Sequence, residues 1–128
     1  MTSLSATDLV KAAKQQIENL TPLQVKDELS NTETVLIDIR ESEELKQNGK
    51  ITGAIHAPRG MIEFYADASL PYHKPEFDKT RRIILQCASG GRSALAAQTL
   101  KQMGFTNVAH LDGGLKAWKE AGYPTVEG

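Results

Sequence analysis

The sequence predicts an α/β domain built around a parallel sheet, and two observations carry that prediction. Short apolar runs rich in β-branched residues alternate along the chain with stretches of helix-forming composition. These runs are apolar throughout rather than at every second residue, as strands covered on both faces are. Residues 1–31 read as helical. Leu4, Leu9, Val10, Ala13, Ile17 and Leu20 fall near helical spacing behind Ser/Thr start signals. Thr21-Pro22 reads as an N-cap followed by proline at the first helical position, opening a short helix through Leu29. TVLIDI (34–39) is the first strand. In the charged segment RESEELKQNGK (40–50), the Glu-rich start suits a helix N-terminus and Asn48-Gly49 suits its end. AIHA (54–57) is a short strand candidate, RGMIEFYADA (59–68) a short helix, and SLPYHKPEFDKT (69–80) a Pro-rich connection. RRIILQC (81–87) is the second long strand. SALAAQTLKQM (93–103) is rich in strong helix formers and closes at Gly104. NVAHL (107–111) is a further strand, DGG a turn, and LKAWKEA (115–121) a last helix stopped by Gly122.

Composition narrows the chemistry. A chain of 128 residues is one domain, or one domain with a short appendage, at roughly 100–200 residues per domain. It has 15 Lys+Arg against 16 Asp+Glu, a net charge of −1, which argues against nucleic-acid or anionic-membrane binding by bulk charge. The single cysteine, Cys87, excludes an intrachain disulfide, a CxxC redox pair and a multi-cysteine metal site. His56, His73 and His110 show no metal-ligand spacing. The start has no uninterrupted apolar stretch of the kind a signal peptide uses, and no apolar run approaches the ~20 residues of a membrane span. The expectation is a soluble, cytoplasmic protein in which a free thiol survives.

That cysteine ends the strand RRIILQC and opens CASGGRS, with a helix immediately behind. In parallel α/β sheets, ligands bind at the carboxyl ends of strands, beside helix N-termini. Gly90 and Gly91 let the backbone turn tightly and point several N–H groups inward. Those amides, the positive end of the helix and Arg92 all favour an ionised, nucleophilic sulfur. The bland alternative is a small buried hydrophobe at a strand end. The neighbouring Ser-Gly-Gly-Arg-Ser argues against that alternative.

The chain resembles the single-domain, rhodanese-like sulfurtransferases over about residues 23–123. The resemblance rests on VLIDIRESEE (35–44), GKITGAIHAP (49–58), the Cys-to-Arg loop CASGGRS (87–93) and GFTNVAHLDGGLKAW (104–118), four motifs in the family's order. Lys50 and Thr52 depart from it, where His and Pro are frequent. The resemblance implies a rhodanese-like α/β fold, with a central five-stranded parallel sheet flanked by helices on both faces. It divides the chain into an N-terminal helical extension, 1–20, and a rhodanese-like domain, 21–128.

The resemblance further implies sulfane-sulfur transfer. Cys87 would attack a donor (thiosulfate, a polysulfide or a low-molecular-weight persulfide), become a persulfide, and pass the sulfur to cyanide, a thiol or a partner protein. Ala88, Ser89, Gly90, Gly91, Arg92 and Ser93 would form the substrate cradle, with Arg92 attracting an anionic donor. Asp38 would help hold the catalytic loop, and Arg40 would form an ion pair supporting it. No metal or organic cofactor is expected, and the oligomeric state is left open.

Three further expectations concern the flanking residues. Asp112-Gly113-Gly114 reads as a structural turn with Asp112 capping the last helix, and Trp118 reads as core. Arg59, Tyr65 and His73 lie in a segment that could select donor or acceptor. Residues 1–20 could pack on the core, mediate dimerisation or form a loose arm. Two other functions stay open: a catalytically weak binding or sensing module on the same fold, and a Cys-dependent phosphatase or arsenate reductase. Phosphatases use Cys-x5-Arg around a tetrahedral phosphate, whereas Cys87 to Arg92 is Cys-x4-Arg, a tighter loop suited to a sulfur atom.

Overall fold

The computed structural model describes residues 3–128. Five strands form one parallel sheet in the order β1-β5-β4-β2-β3: β1 Glu18–Leu20, β2 Val35–Asp38, β3 Ile55–His56, β4 Ile83–Gln86 and β5 Val108–Leu111. Six helices connect and cover them: α1 Ala6–Lys14, α2 Pro22–Glu28, α3 Ser42–Asn48, α4 Ile62–Ala66, α5 Gly91–Gln102 and α6 Gly114–Glu120. A 3-10 turn, Arg59–Met61, leads into α4.

The central strands β2, β4 and β5 are buried at every position, which is why their sequences show no alternation. Their side chains divide between two cores. Val35, Ile37, Ile83, Leu85 and Val108 pack with Ala96, Ala97 and Leu100 of α5 and Ile62 of α4. Leu36, Ile84, Ala109 and Leu111 pack on the other face with Val25 of α2 and Leu115 and Trp118 of α6. Each fully buried side chain such as Ile37 or Leu85 contributes roughly 1.5–3 kcal/mol. Trp118 is core, 4% exposed, with its indole N–H donating to the Pro124 carbonyl at 2.9 Å.

Of the stretch 1–31 read as helical, residues 1 and 2 lie outside the described residues, and the rest is not helical throughout. Helix α1 ends at Lys14, and Glu18–Leu20 forms the edge strand β1, paired with β5 from Glu18↔Ala109 to Leu20↔Leu111. Three residues are too few for hydrophobic period to distinguish helix from strand, and pairing with β5 plus burial of Leu20 decides the matter. The Thr21 cap forms as expected. Its side chain accepts from the Gln24 N–H, and Gln24 accepts from the Thr21 N–H in return.

Helix α1 packs on α5 with Ala13 fully buried. The side chain of Lys101 donates to the carbonyl of Gln16, and Lys14 bonds Asp112 at 2.8 Å. No helix among the described residues is long and apolar enough to cross a membrane.

Candidate active site

Strand β2 hands the chain to β3 on one side of the sheet, while β4 hands it to β5 on the other. The carboxyl ends of β2 and β4 therefore flank the point where the connections diverge, the place where open α/β sheets form a crevice. Asp38 ends β2 there, and Cys87 directly follows β4.

Cys87 is 1% exposed, a burial that an inert structural cysteine would share. Its surroundings are not those of an inert thiol. Gly90 takes a left-handed conformation (φ 98°) that turns the chain back over the sulfur, so that its N–H donates to Cys87 Sγ at 3.2 Å. The N–H of Ser93 donates to the same atom at 3.3 Å, and the thiol lies 3.5 Å from Ser93 Oγ as a donor to it. Helix α5 begins at Gly91, inside the loop, so these contacts come from its N-terminal turn, where amides lack intrahelical partners. Of the expected cradle, Gly90 and Ser93 bond the sulfur. The amides of Ala88, Ser89, Gly91 and Arg92 make no hydrogen bond to it. Gly90 also admits no side chain, because a Cβ there would stand 2.9 Å from the Gly113 nitrogen.

Arg92 lies on the rim, its guanidinium bound to Glu44 of α3 through two bonds of 2.8 Å. That bidentate grip pulls the Glu44 carboxyl down to about 2 and holds Arg92 yet more firmly protonated. Arg92 is thus not an unpaired cation awaiting an anion. Asp38 and Arg40 are buried, 0% and 1% exposed, and joined at 2.7 Å. Neither bonds residues 87–93. Arg40 instead donates to the carbonyls of Glu44 and Gly49, the latter at 2.8 Å, which fixes α3 and with it the carboxylate that grips Arg92. A charge pair so enclosed resists removal of one partner, which leaves the other buried and unmatched at a cost of about 3–5 kcal/mol.

The Asp112-Gly113-Gly114 turn does more than reverse the chain. Leu115 N–H donates to the Cys87 carbonyl at 2.8 Å and Lys116 N–H to the Ala88 carbonyl at 3.0 Å, so the start of α6 clasps the loop that begins at Cys87. Asp112 does not cap α6, whose cap residue Gly113 offers no side chain; its carboxylate pairs with Lys14 instead. A cleft of about 250 Å³ beside the loop is lined by Arg40, Asn48, Ala88, Leu115, Lys116 and Lys119.

None of Arg59, Tyr65 and His73 hydrogen-bonds residues 87–93, and Tyr65 packs against the core cluster that includes Cys87. Arg59 pairs with Glu63 at 2.9 Å and His73 lies 3.3 Å from the Phe77 carbonyl. A cavity of about 380 Å³ in that segment is lined by His73, Phe77 and Phe105 among others and includes no residue of the loop.

Two participants escape a reading of the sequence. His110, fully buried on β5, places Nδ1 2.8 Å from Ser93 Oγ and Nε2 2.8 Å from Asn19 Oδ1. Burial pushes its imidazole down to about 4; Asp112 opposes that and Lys14 adds to it. The available signal was a titratable residue inside an apolar strand, one position from the edge where Cys87 lies.

The rhodanese-like domain family matches residues 21–121 of the chain. The chain belongs to that family. It is 37% identical over 99 residues to a sulfurtransferase of Allochromatium vinosum, an alignment covering 77% of this chain and 84% of the relative. Among solved structures, a protein of unknown function from Rhodopseudomonas palustris, described as a possible tyrosine phosphatase, is 37% identical with a TM-score of 0.91. That match covers 98% of this chain and 96% of the other. The polysulfide-sulfur transferase homodimer of Wolinella succinogenes is 32% identical with a TM-score of 0.74, covering 91% of this chain and 83% of that one. The rhodanese-like fold read from the sequence is therefore the fold of this chain, five parallel strands and helices on both faces included.

Proposed function

We propose that the protein moves sulfane sulfur through a persulfide on Cys87. The observation that carries this reading is the convergence of the Gly90 and Ser93 N–H groups on Cys87 Sγ, at 3.2 and 3.3 Å. Two donors aimed at one sulfur favour negative charge there, first on a thiolate and then on a persulfide. The thiolate attacks the outer sulfur of a donor such as thiosulfate. The Sγ–S bond forms as the donor's S–S bond breaks, and sulfite leaves with that electron pair. A thiol, cyanide or a partner protein then attacks the outer sulfur of the persulfide and returns Cys87 to its starting state. The amides of Gly91 and Arg92, without intrahelical partners at the start of α5, would donate to the outer sulfur. Ala88 and Ser89 complete the enclosure.

Incubation with thiosulfate, followed by intact-mass measurement, is expected to leave a protein heavier by one sulfur. Cys87→Ser is expected to abolish both the adduct and sulfur transfer to cyanide. An unchanged mass with thiosulfate, polysulfide and glutathione persulfide alike would sink the proposal.

The description of the Rhodopseudomonas neighbour favours one second reading, phosphoryl chemistry. Cys87 to Arg92 is one residue shorter than the Cys-x5-Arg loop of phosphatases, and Arg92 is engaged by Glu44. Hydrolysis of an aryl phosphate that Cys87→Ser eliminates would establish this reading instead.

A further inference from the structure

Behind the sulfur runs a chain of four polar side chains contributed by four different elements: Cys87 after β4, Ser93 on α5, His110 on β5 and Asn19 on β1. The direction of every proton along it can be assigned. The Asn19 side-chain amide nitrogen donates to the carbonyls of Lys14 and Ile17 at 2.9 and 3.2 Å, so its oxygen must be the atom facing His110. That oxygen can only accept, so His110 Nε2 carries a proton. In the neutral ring Nδ1 is then a bare acceptor, and the Ser93 hydroxyl donates to it. With its proton committed to His110, Ser93 turns a lone pair toward Cys87 and accepts the thiol proton at 3.5 Å.

We propose that Ser93 and His110, oriented by Asn19, form a relay that carries the thiol proton of Cys87 to His110 Nδ1 as sulfur is transferred. The inference rests on the persulfide reading of Cys87. In the step, the Cys87 S–H proton passes to Ser93 Oγ while the Ser93 O–H proton passes to Nδ1. The freed sulfur pair forms the bond to the donor's outer sulfur, and the donor's leaving group departs with the electrons of the broken S–S bond. The imidazolium then donates from Nδ1 to Ser93 Oγ, whose hydroxyl is turned to face the sulfur. Cys87 thereby gains a third donor beside the N–H groups of Gly90 and Ser93, at the moment when negative charge develops.

Ser93 touches the reacting atom, while His110 and Asn19 are positioning residues. The groups facing the imidazole are Asp112 in the turn just after β5, Lys14 of α1, Asn19, Ser93 and, through Ser93, Cys87. Burial keeps the ring neutral and its Nδ1 lone pair available at neutral pH, and the thiolate supplies the counter-charge that the protonated ring otherwise lacks.

Because the chain has one cysteine, thiolate absorbance at 240 nm measured against pH, with Cys87→Ser as the blank, reports this sulfur alone. Ser93→Ala and His110→Phe are each expected to leave about tenfold less thiolate near neutral pH, a displacement of one pH unit. The double variant should lose no more than either single one, since both break the same relay. Asn19→Asp, at an exposed edge position, puts a carboxylate against the Nε2–H and favours the imidazolium; it should bring thiolate in at lower pH and raise kcat for sulfur uptake without changing KM.

A merely structural role would not give opposite displacements from His110→Phe and Asn19→Asp. Unaltered thiolate curves in the variants, or displacements of the same sign, would overturn the relay. If His110→Phe does not fold, Asn19→Asp alone decides. Thiolate absorbance needs no sulfur donor, so a missing persulfide and a missing relay are separately visible.

Discussion

Arg92 shows how an active-site charge is set by a residue far away in sequence. Cysteine, glycines and arginine are contiguous, and their chemistry is legible as a string. The partner that sets the arginine's availability, Glu44, lies 48 positions earlier, in a segment whose acidic residues read as an ordinary helix start. His110 and Asn19 were hidden for the same reason: each is ordinary alone and acquires meaning only from what the fold brings to it.

The pairing of Arg92 carries a consequence for donor capture. A bidentate carboxylate neutralises much of the field that an anionic donor would meet at the rim. Glu44→Gln keeps the shape and removes the charge. Thiosulfate KM should then fall roughly two- to fivefold, the scale of a partly exposed ion pair, with kcat little altered and the gain shrinking in salt. Arg92→Ala should raise KM. Steady-state kinetics at two ionic strengths decide it, and an unchanged KM in Glu44→Gln would show that the guanidinium does not attract the donor.

Among the elements, strands and helices whose periods were strong appeared where the sequence put them. The apolar runs at 34–39, 81–87 and 107–111 became the three buried central strands. The edge strand β1 was not legible, since its three residues sit between two helices and owe their conformation to β5. The turn at 112–114 was legible as a turn but not as a clasp. Gly114 has φ 61°, and a Cβ there would stand 2.5–2.7 Å from the backbone of Cys87 and Ala88, so only glycine lets α6 dock against the loop that begins at Cys87.

Gly114→Ala should therefore cost about 2–4 kcal/mol, combining left-handed strain with displacement of fixed backbone, and should slow sulfur uptake. Gly122 provides the control. It also has a positive φ, 85°, but nothing lies within 4 Å of an added Cβ. Gly122→Ala should cost only about 1–2 kcal/mol of conformational strain and leave uptake unchanged. Equal losses in urea midpoint for the two variants would show that the close approach of α6 to the loop has no energetic weight.

At the scale of the whole molecule, the site ties stability to pH in two separate windows. His110 is pushed from 6.5 down to about 4 by burial. Below pH 6.5 the unfolded chain takes up a proton that the folded chain refuses, so stability falls as pH drops from 6.5 toward 4 and then levels off in this respect. At about 1.4 kcal/mol per unit, the loss is at most about 3.5 kcal/mol. Glu44 acts lower on the scale. Arg92 pulls its carboxyl from 4.5 to about 2, so its stabilisation is complete above 4.5 and disappears as pH falls toward 2, reduced by its partial exposure to solvent. Asp112, held down by Lys14, and Glu18, held down by Arg82, act in the same direction as Glu44. Acid should thus weaken the protein first through the imidazole and only afterwards through the carboxylates. Urea midpoints at pH 7.5 and 5.0 separate the two, because the carboxylate window has barely opened at the higher of its limits. The wild type should lose stability between these pH values, and His110→Phe, whatever its absolute stability, should lose much less. An equal decline in both proteins would mean that the buried imidazole is not what couples this fold to mild acid.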